Sequence, residues 1–181
     1  MISKNYIPDQ HDGEEIVLHL RRHWFIFFKI FLFFVILALI PVALYYLISN
    51  NMPSLIEGDV SYPMLLILFL SYYLILLISI FTAWTETYLD VWTITTERII
   101  NREQNGLFNR VVSELDLRRV QDVTAEQKGF FPTIFYYGDV YIQSAGIKER
   151  FVFEQIAQPY KIAKTIQQLD ERVKKNSPSG I

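Results

Sequence analysis

Residues 63–95 read PMLLILFLSYYLILLISIFTAWTETYLDVWTIT, and a change of period inside them decides the fold. From Pro63 to Trp84 no residue is charged. That run exceeds the roughly 20 apolar residues needed to cross a hydrocarbon core about 30 Å thick, so it predicts a membrane-spanning helix. After Trp84 the composition turns to Val, Ile, Thr and aromatic residues in short segments broken by turn residues, which is the pattern of antiparallel strands. The fold class is therefore a membrane α-helical hairpin followed by a small, mainly β unit.

Upstream, Trp24 to Ile48 forms a second long apolar run. No Lys or Arg occurs from Ile30 to Glu97, and the connecting residues 49–62 carry only Glu57 and Asp59 as charged residues. Cytoplasmic flanks collect Lys and Arg, so both termini are expected on the cytoplasmic side of a membrane crossed twice. The division follows as an N-terminal cytoplasmic segment 1–23, a first span 24–48, an external loop 49–62, a second span 63–84, a cytoplasmic domain 85–175 and a tail 176–181. A cleaved signal peptide has a shorter apolar core ending in small residues, whereas the first run ends at Ser49-Asn50-Asn51. Trp24 and Trp84 are read as interfacial anchors, with Arg21 and Arg22 at the headgroups. Lys29 lies about 7.5 Å along the helix from Trp24, within reach of the headgroup layer through its four-carbon stem. Pro41 removes one backbone donor opposite the Leu37 carbonyl and predicts a bend in the first span.

Composition excludes several functions. The chain has no cysteine, which removes disulfides, thiol nucleophiles and Cys-ligated metals and agrees with a reducing compartment. Apart from Lys29, the spans hold no ionisable relay for transport. The soluble part scatters its basic residues, and the whole chain has a formal net charge of -2, so no polyanion-binding stripe exists and nucleic acid is not an expected partner. All three histidines, His11, His19 and His23, precede the first span. His19 and His23 share an i,i+4 spacing, but no third ligand is evident, and an interfacial helix with Arg21 and Arg22 is the preferred reading. Without Cys or His in the soluble domain, common nucleophile and base pairs are missing, and isolated turn glycines make no phosphate loop. No catalytic residue, cofactor, metal or small-molecule substrate is predicted.

Strands are expected at Val91–Thr95, Arg98–Gln104, Arg110–Asp116 and Val120–Glu126, then around Val140–Ile142 and Phe151–Phe153. Asn105-Gly106 is read as supplying the positive backbone angles of a tight hairpin turn, and Gly138-Asp139 and Ala145-Gly146 as punctuating the later strands. Pro159 suits a first helical turn, and Ile162, Ile166, Leu169 and Val173 follow on one stripe, predicting a helix over Pro159–Lys175 that covers the open end or edge of the strands. Lys174 and Lys175 complement its C-terminal dipole.

The order of these elements, with Trp92-Thr93-Ile94-Thr95-Thr96-Glu97-Arg98-Ile99-Ile100, Gly106-Leu107-Phe108-Asn109-Arg110, Leu117 through Val120-Gln121-Asp122-Val123, and Tyr137-Gly138-Asp139-Val140-Tyr141-Ile142, resembles a bacterial pleckstrin-homology (PH)-like protein of the membrane-flanked domain family. The resemblance runs from Glu14-Glu15 and Arg22-His23-Trp24 to Ile156 and Pro159. It implies a seven-stranded, two-sheet, partly open barrel capped by a C-terminal helix, a fold used chiefly to bind lipids, peptides or other domains. The absence of Trp from the last helix and of a dense basic loop from the first hairpin argues against phosphoinositide binding.

Candidate contact residues for a partner or lipid are Lys128, Phe130, Phe131, Arg110, Arg118 and Arg119. The aromatic stretch Phe130 to Tyr137 reads first as core, because rings dominate small-domain interiors. Its alternative is an exposed loop resting on the inner leaflet or receiving a partner segment. The Thr-Thr-Glu-Arg stretch, Thr95 to Arg98, reads as a fold determinant, with a threonine hydroxyl bonding nearby backbone donors. The expected function is a noncatalytic adaptor at the cytoplasmic face, acting through a protein partner or homo-oligomer. An anionic-lipid sensor and an accessory subunit of an export complex are the alternatives.

Overall fold

A computed structural model of the chain describes residue 11 and residues 13–144 and 151–176. The turn expected at Ala145-Gly146 lies outside the described residues, as does the expected tail beyond Asn176. The chain divides into two compact units, residues 24–86 and the remainder on either side.

The first unit is a helical hairpin. Helix α1 spans Trp24–Asn51, a short α2 spans Pro53–Glu57 within the predicted loop, and α3 spans Ser61–Leu89. At 1.5 Å per residue α1 and α3 are about 42 and 43 Å long, and both are apolar enough to cross a membrane. Most of their large side chains are exposed, as in Phe31, Leu39, Ile67 and Leu70. The ring of Trp84 packs edge-on against Phe27, with centroids 5.0 Å apart. Pro41 has no N–H to give the carbonyl of Leu37, one turn back, and the Tyr72 hydroxyl of α3 donates to that carbonyl at 2.9 Å. The Tyr73 hydroxyl donates to the neighbouring Ala38 carbonyl at 3.0 Å. A buried carbonyl left without a donor costs free energy, so the Tyr72 hydroxyl supplies the partner that Pro41 cannot.

The second unit is a sandwich of two antiparallel sheets. Strands β1 (Ile16–Arg21), β2 (Val91–Thr95), β3 (Arg98–Asn105) and β4 (Asn109–Asp116) form one sheet in that order; β5 (Val120–Glu126), β6 (Tyr137–Ser144) and β7 (Phe151–Ala157) form the other. A 3-10 turn at Leu117–Arg119 carries the chain between them. The facing rows meet in a core that includes Trp92, Ile94, Ile99, Leu115, Ile142, Phe153 and Ile156. Helix α5 (Pro159–Asn176) lays Ile162, Ile166 and Leu169 onto that core from the β5 and β6 side, with Val173 partly buried beside them. This is the predicted stripe, and it extends one residue past the predicted end.

Strand β1 corrects the N-terminal reading. Residues 16–21 are not an interfacial helix in a separate segment; Arg21 pairs with Val91 and Leu18 with Ile94, which makes β1 an edge of the first sheet. Ile16, Leu18 and Leu20 alternate with Val17, His19 and Arg21 in burial, so the period was two. The i,i+4 pairing of His19 and His23 dissolves with the helix. His19 Nδ1 lies 3.3 Å from the Thr93 hydroxyl, whereas the His23 ring stacks on Tyr137 at 5.2 Å.

Two backbone positions, one in a turn and one in a strand, depend on glycine. The β3–β4 turn is longer than the expected tight pair: Asn105 pairs with Asn109, leaving Gly106-Leu107-Phe108 in the loop, and of these only Gly106 has positive φ, at +74°. Gly138 lets β6 pass β5 closely, since a Cβ there would stand 2.2 Å from the Glu126 carbonyl oxygen.

Candidate functional site

The antiparallel register assigns every loop of the second unit to one of two ends. Arg21 is paired with Val91, so the residues leaving β1 toward α1 and those entering β2 from α3 share an end. The β3–β4 turn belongs to it, because Val91 pairs with Arg102 and β3 runs three residues further to Asn105. So does the β5–β6 connection: Arg22 bridges to Ile156 at the end of β7, and the His23 N–H donates to the Gln155 carbonyl at 2.7 Å. This is the helix-side end. The opposite, far end carries the Thr95–Arg98 turn and the 3-10 turn.

The far end is closed by charge pairing. Arg98 donates from Nε and Nη2 to the two carboxylate oxygens of Glu14 at 3.0 and 3.1 Å, and from Nη1 to Glu114 at 2.6 Å. Glu14 is only 2% exposed. Burial alone would raise its pKa, but bonds from Arg98, Thr95 and the His11 backbone outweigh that and hold the carboxyl below its ordinary value. The Thr95 hydroxyl donates to the Arg98 carbonyl at 2.9 Å and accepts from the N–H groups of Glu97 and Arg98 at 3.2 and 2.9 Å. The Thr-Thr-Glu-Arg stretch is thus a turn lock.

Arg118 and Arg119 sit at this end, apart from the other candidate contacts. Arg118 chelates the Asp116 carboxylate, with Nε at 3.0 and 3.1 Å and Nη2 at 2.7 Å, so its charge is locally matched. Arg119 is exposed.

The register places Arg110 and, on a separate loop, Lys128, Phe130 and Phe131 at the helix-side end. Residues Phe130–Phe135 form a short helix, α4, where the sequence suggested core or loop. The aromatic stretch divides: Tyr137 is buried at 4%, while Phe130 is 73% exposed, Phe131 52% and Tyr136 69%. Gly129, at φ +106°, and Tyr136, in the left-handed region at φ 55°, bracket the helix and turn its rings away from the core that Tyr137 joins. Lys128 forms an ion pair with Glu126, and that hydrogen bond raises its pKa. Arg110 is exposed at the start of β4, two residues from Phe108, the most exposed large apolar residue described.

The anchor residues also acquire particular neighbours. Arg21 stands over the Tyr88 ring at 5.0 Å. Arg22, predicted to lie at headgroups, instead clasps the sandwich: Nε donates to Asp90 at 3.1 Å, Nη1 to the Gln155 side chain at 3.3 Å and Nη2 to Glu154 at 2.8 Å. Asp90 in turn accepts from the Gln104 N–H at 2.8 Å. Trp24 and Lys29 are exposed on α1, and Trp84 is 49% exposed on α3.

Beside the Arg22 clasp, a groove of about 480 Å³ opens between the inner face of β2–β4 and strand β7. Asp90, Glu103, Glu114 and Glu154 line it against the single cation Arg22, with Trp92 among the walls. Trp92 is 3% exposed, and among the described residues its indole N–H has no hydrogen-bond acceptor. A buried donor left unsatisfied costs about 1–3 kcal/mol. Among the described residues β4 is paired only with β3, and its outer edge borders this groove. Sequence reading missed the groove because its carboxylates come from four separate strands and junctions, and nothing local marks Trp92 as a donor without a partner. Phe108 carried a readable signal: a Phe among the turn residues Gly106 and Asn109. Among the described residues, no cluster of three or more His, Asp or Glu is arranged to hold a metal.

Comparison with known proteins accords with this architecture. The model of the bacterial PH domain matches residues 25–170. A solved structure of a DUF1696 family protein with a pleckstrin-homology domain, from Shewanella loihica PV-4, is 19% identical, with 45% of this chain and 70% of that chain covered and a TM-score of 0.38. No curated protein matches. With the family model covering most of its length, and two sheets and a C-terminal helix in the folded unit, the chain belongs to the bacterial PH domain family.

Proposed function

We propose that this protein is a noncatalytic, membrane-anchored adaptor. In this reading α1 and α3 cross the bacterial inner membrane with both termini in the cytoplasm, and the PH-like unit receives a segment of a protein partner or of a second copy. The observation that carries it is the groove beside β4, a carboxylate-lined space along a strand edge that pairs with no second strand among the described residues. An extended segment added along that edge would pair its backbone with the outer groups of β4. The lining carboxylates Asp90, Glu103, Glu114 and Glu154 outnumber the arginines paired with them, Arg22 and Arg98, which favours Lys or Arg side chains on that segment and disfavours phosphate headgroups. Anchoring raises the local concentration of both partners, so a modest surface suffices.

Photo-crosslinking in native membranes tests this reading. A photoreactive residue at Ser113 or Val152, both lining the groove, is expected to give discrete adducts, and one at Arg119 none. Adducts of twice the chain mass identify self-association, and heavier or lighter ones a different partner. Adducts at Arg119 with none at the groove would overturn the proposal.

A further inference from the structure

The two edges of the first sheet differ. Strand β1 shifts register between Ile16 and Leu18, and the chain continues from it through Arg22 into a bridge with Ile156 of β7. Irregularity and cover of this kind keep an edge strand from pairing with another chain. Among the described residues, β4 has neither. It runs opposite β3 without a register shift, from Asn109 against Asn105 to Asp116 against Arg98. It contains no Pro and no Lys, and Val111 and Val112 are 40% and 49% exposed on opposite faces. A straight edge bearing exposed valines is a template for another strand.

The order of its charges identifies that strand. β4 reads Asn109-Arg110-Val111-Val112-Ser113-Glu114-Leu115-Asp116. When a strand pairs antiparallel with its own copy, opposed residues must share a face, so the two-fold axis passes through a single residue. An axis at Arg110 or Glu114 opposes like charges. One at Val111 sets Arg110 against Val112, and one at Ser113 sets Glu114 against Val112. An axis at Val112 opposes the two copies of that valine, sets Val111 against Ser113, and sets Arg110 against Glu114 on both sides. Opposed unlike charges and β-branched pairs are stabilising, and opposed like charges are not. Both charged groups can be reached. Arg110 is exposed, and Glu114 binds Arg98 through Oε2 with 41% of its side chain still exposed.

We propose that β4 pairs with β4 of a second copy of this chain, antiparallel and centred on Val112, joining two four-stranded sheets into one. The inference rests on the reading that the β4 edge receives an extended segment, and it names that segment. Arg110 of one copy is then the basic side chain favoured by the groove carboxylates, and it meets Glu114, one of their number.

The absence of cysteine allows introduced cysteines to be oxidised without background. The full chain in native membranes would be treated with copper phenanthroline. Val112→Cys is expected to give a disulfide-linked species of twice the chain mass. Differently tagged chains carrying Arg110→Cys and Glu114→Cys should link to each other when co-expressed, as should Val111→Cys and Ser113→Cys, which keep the register test open if the Glu114 variant misfolds. Arg119→Cys should not link. Neither should Arg110→Cys with itself, because the two copies of residue 110 lie four positions apart, about 13 Å, beyond disulfide reach. Adding Arg110→Glu to the Val112→Cys chain is expected to lower the linked fraction severalfold, since glutamates then face each other. Self-linkage at 110, or linkage at 112 that Arg110→Glu leaves unchanged, would overturn the register. Absence of linkage in all three pairings would overturn the inference. Discrete adducts from the photoreactive residue at Ser113 would then leave the edge-docking reading standing, and their absence at both Ser113 and Val152 would overturn that reading as well.

Discussion

The two ends of the PH-like unit are closed in the same way and finished differently. Each is tied by one arginine bridging carboxylates that are remote in sequence: Arg98 to Glu14 and Glu114 at the far end, Arg22 to Asp90 and Glu154 at the helix-side end. The surfaces beyond the ties diverge. The far end shows a charged turn whose Arg118 is matched by Asp116, and the helix-side end shows bare aromatic rings. Closure is a requirement of the fold, because edge strand β1 must be held in register. The finish is free to vary, which is why function is sought there.

The largest effect is expected from the most buried tie. Glu14→Gln leaves Arg98 without its bidentate carboxylate and should destabilise the unit by about 3 kcal/mol or more, read as a lowered urea midpoint. The same pair predicts acid sensitivity. Because the folded pKa of Glu14 lies below its ordinary 4.5, its stabilisation is complete above that pH and is lost as pH falls through the depressed value. Stability of the Gln variant should fall less steeply across that acid range; an equal slope would break the assignment. Arg22→Met should cost about 2 kcal/mol, less than Glu14→Gln because the Arg22 side chain is 19% exposed, while still leaving Asp90, 5% exposed, unpaired. A cost as large as that of Glu14→Gln would erase the difference between the ties. Arg118→Ala should leave the urea midpoint essentially unchanged, since its ion pair is solvent-exposed. A larger loss would show that the far-end surface is also structural.

The sequence was most legible where a single period governs a segment. The apolar runs gave α1 and α3, the β-branched alternation gave six strands, and the stripe from Ile162 to Val173 gave α5. It was least legible at β1, where Arg21, Arg22, His19 and His23 directed attention to headgroups and a helical face, while the alternation of Ile16, Leu18 and Leu20 was the governing pattern. Among the candidate contacts, residue type alone could not separate Arg110 and Lys128 from Arg118 and Arg119. All are basic and near turns, and only register distributes them between ends.

Sequence by itself determined the apolar length of α1 and α3, the strand segments, the turn at Thr95 to Arg98 and the family, because local period and short-range hydrogen bonding are properties of neighbouring residues. Tertiary structure alone decided that β1 joins the PH-like unit, that Arg22 is a clasp, that Phe130 and Phe131 are exposed while Tyr137 is buried, and that carboxylates from separate strands line one groove beside β4. Those outcomes depend on pairings across tens of residues, such as Arg22 with Glu154 and Glu14 with Arg98, and a linear pattern carries no measure of them.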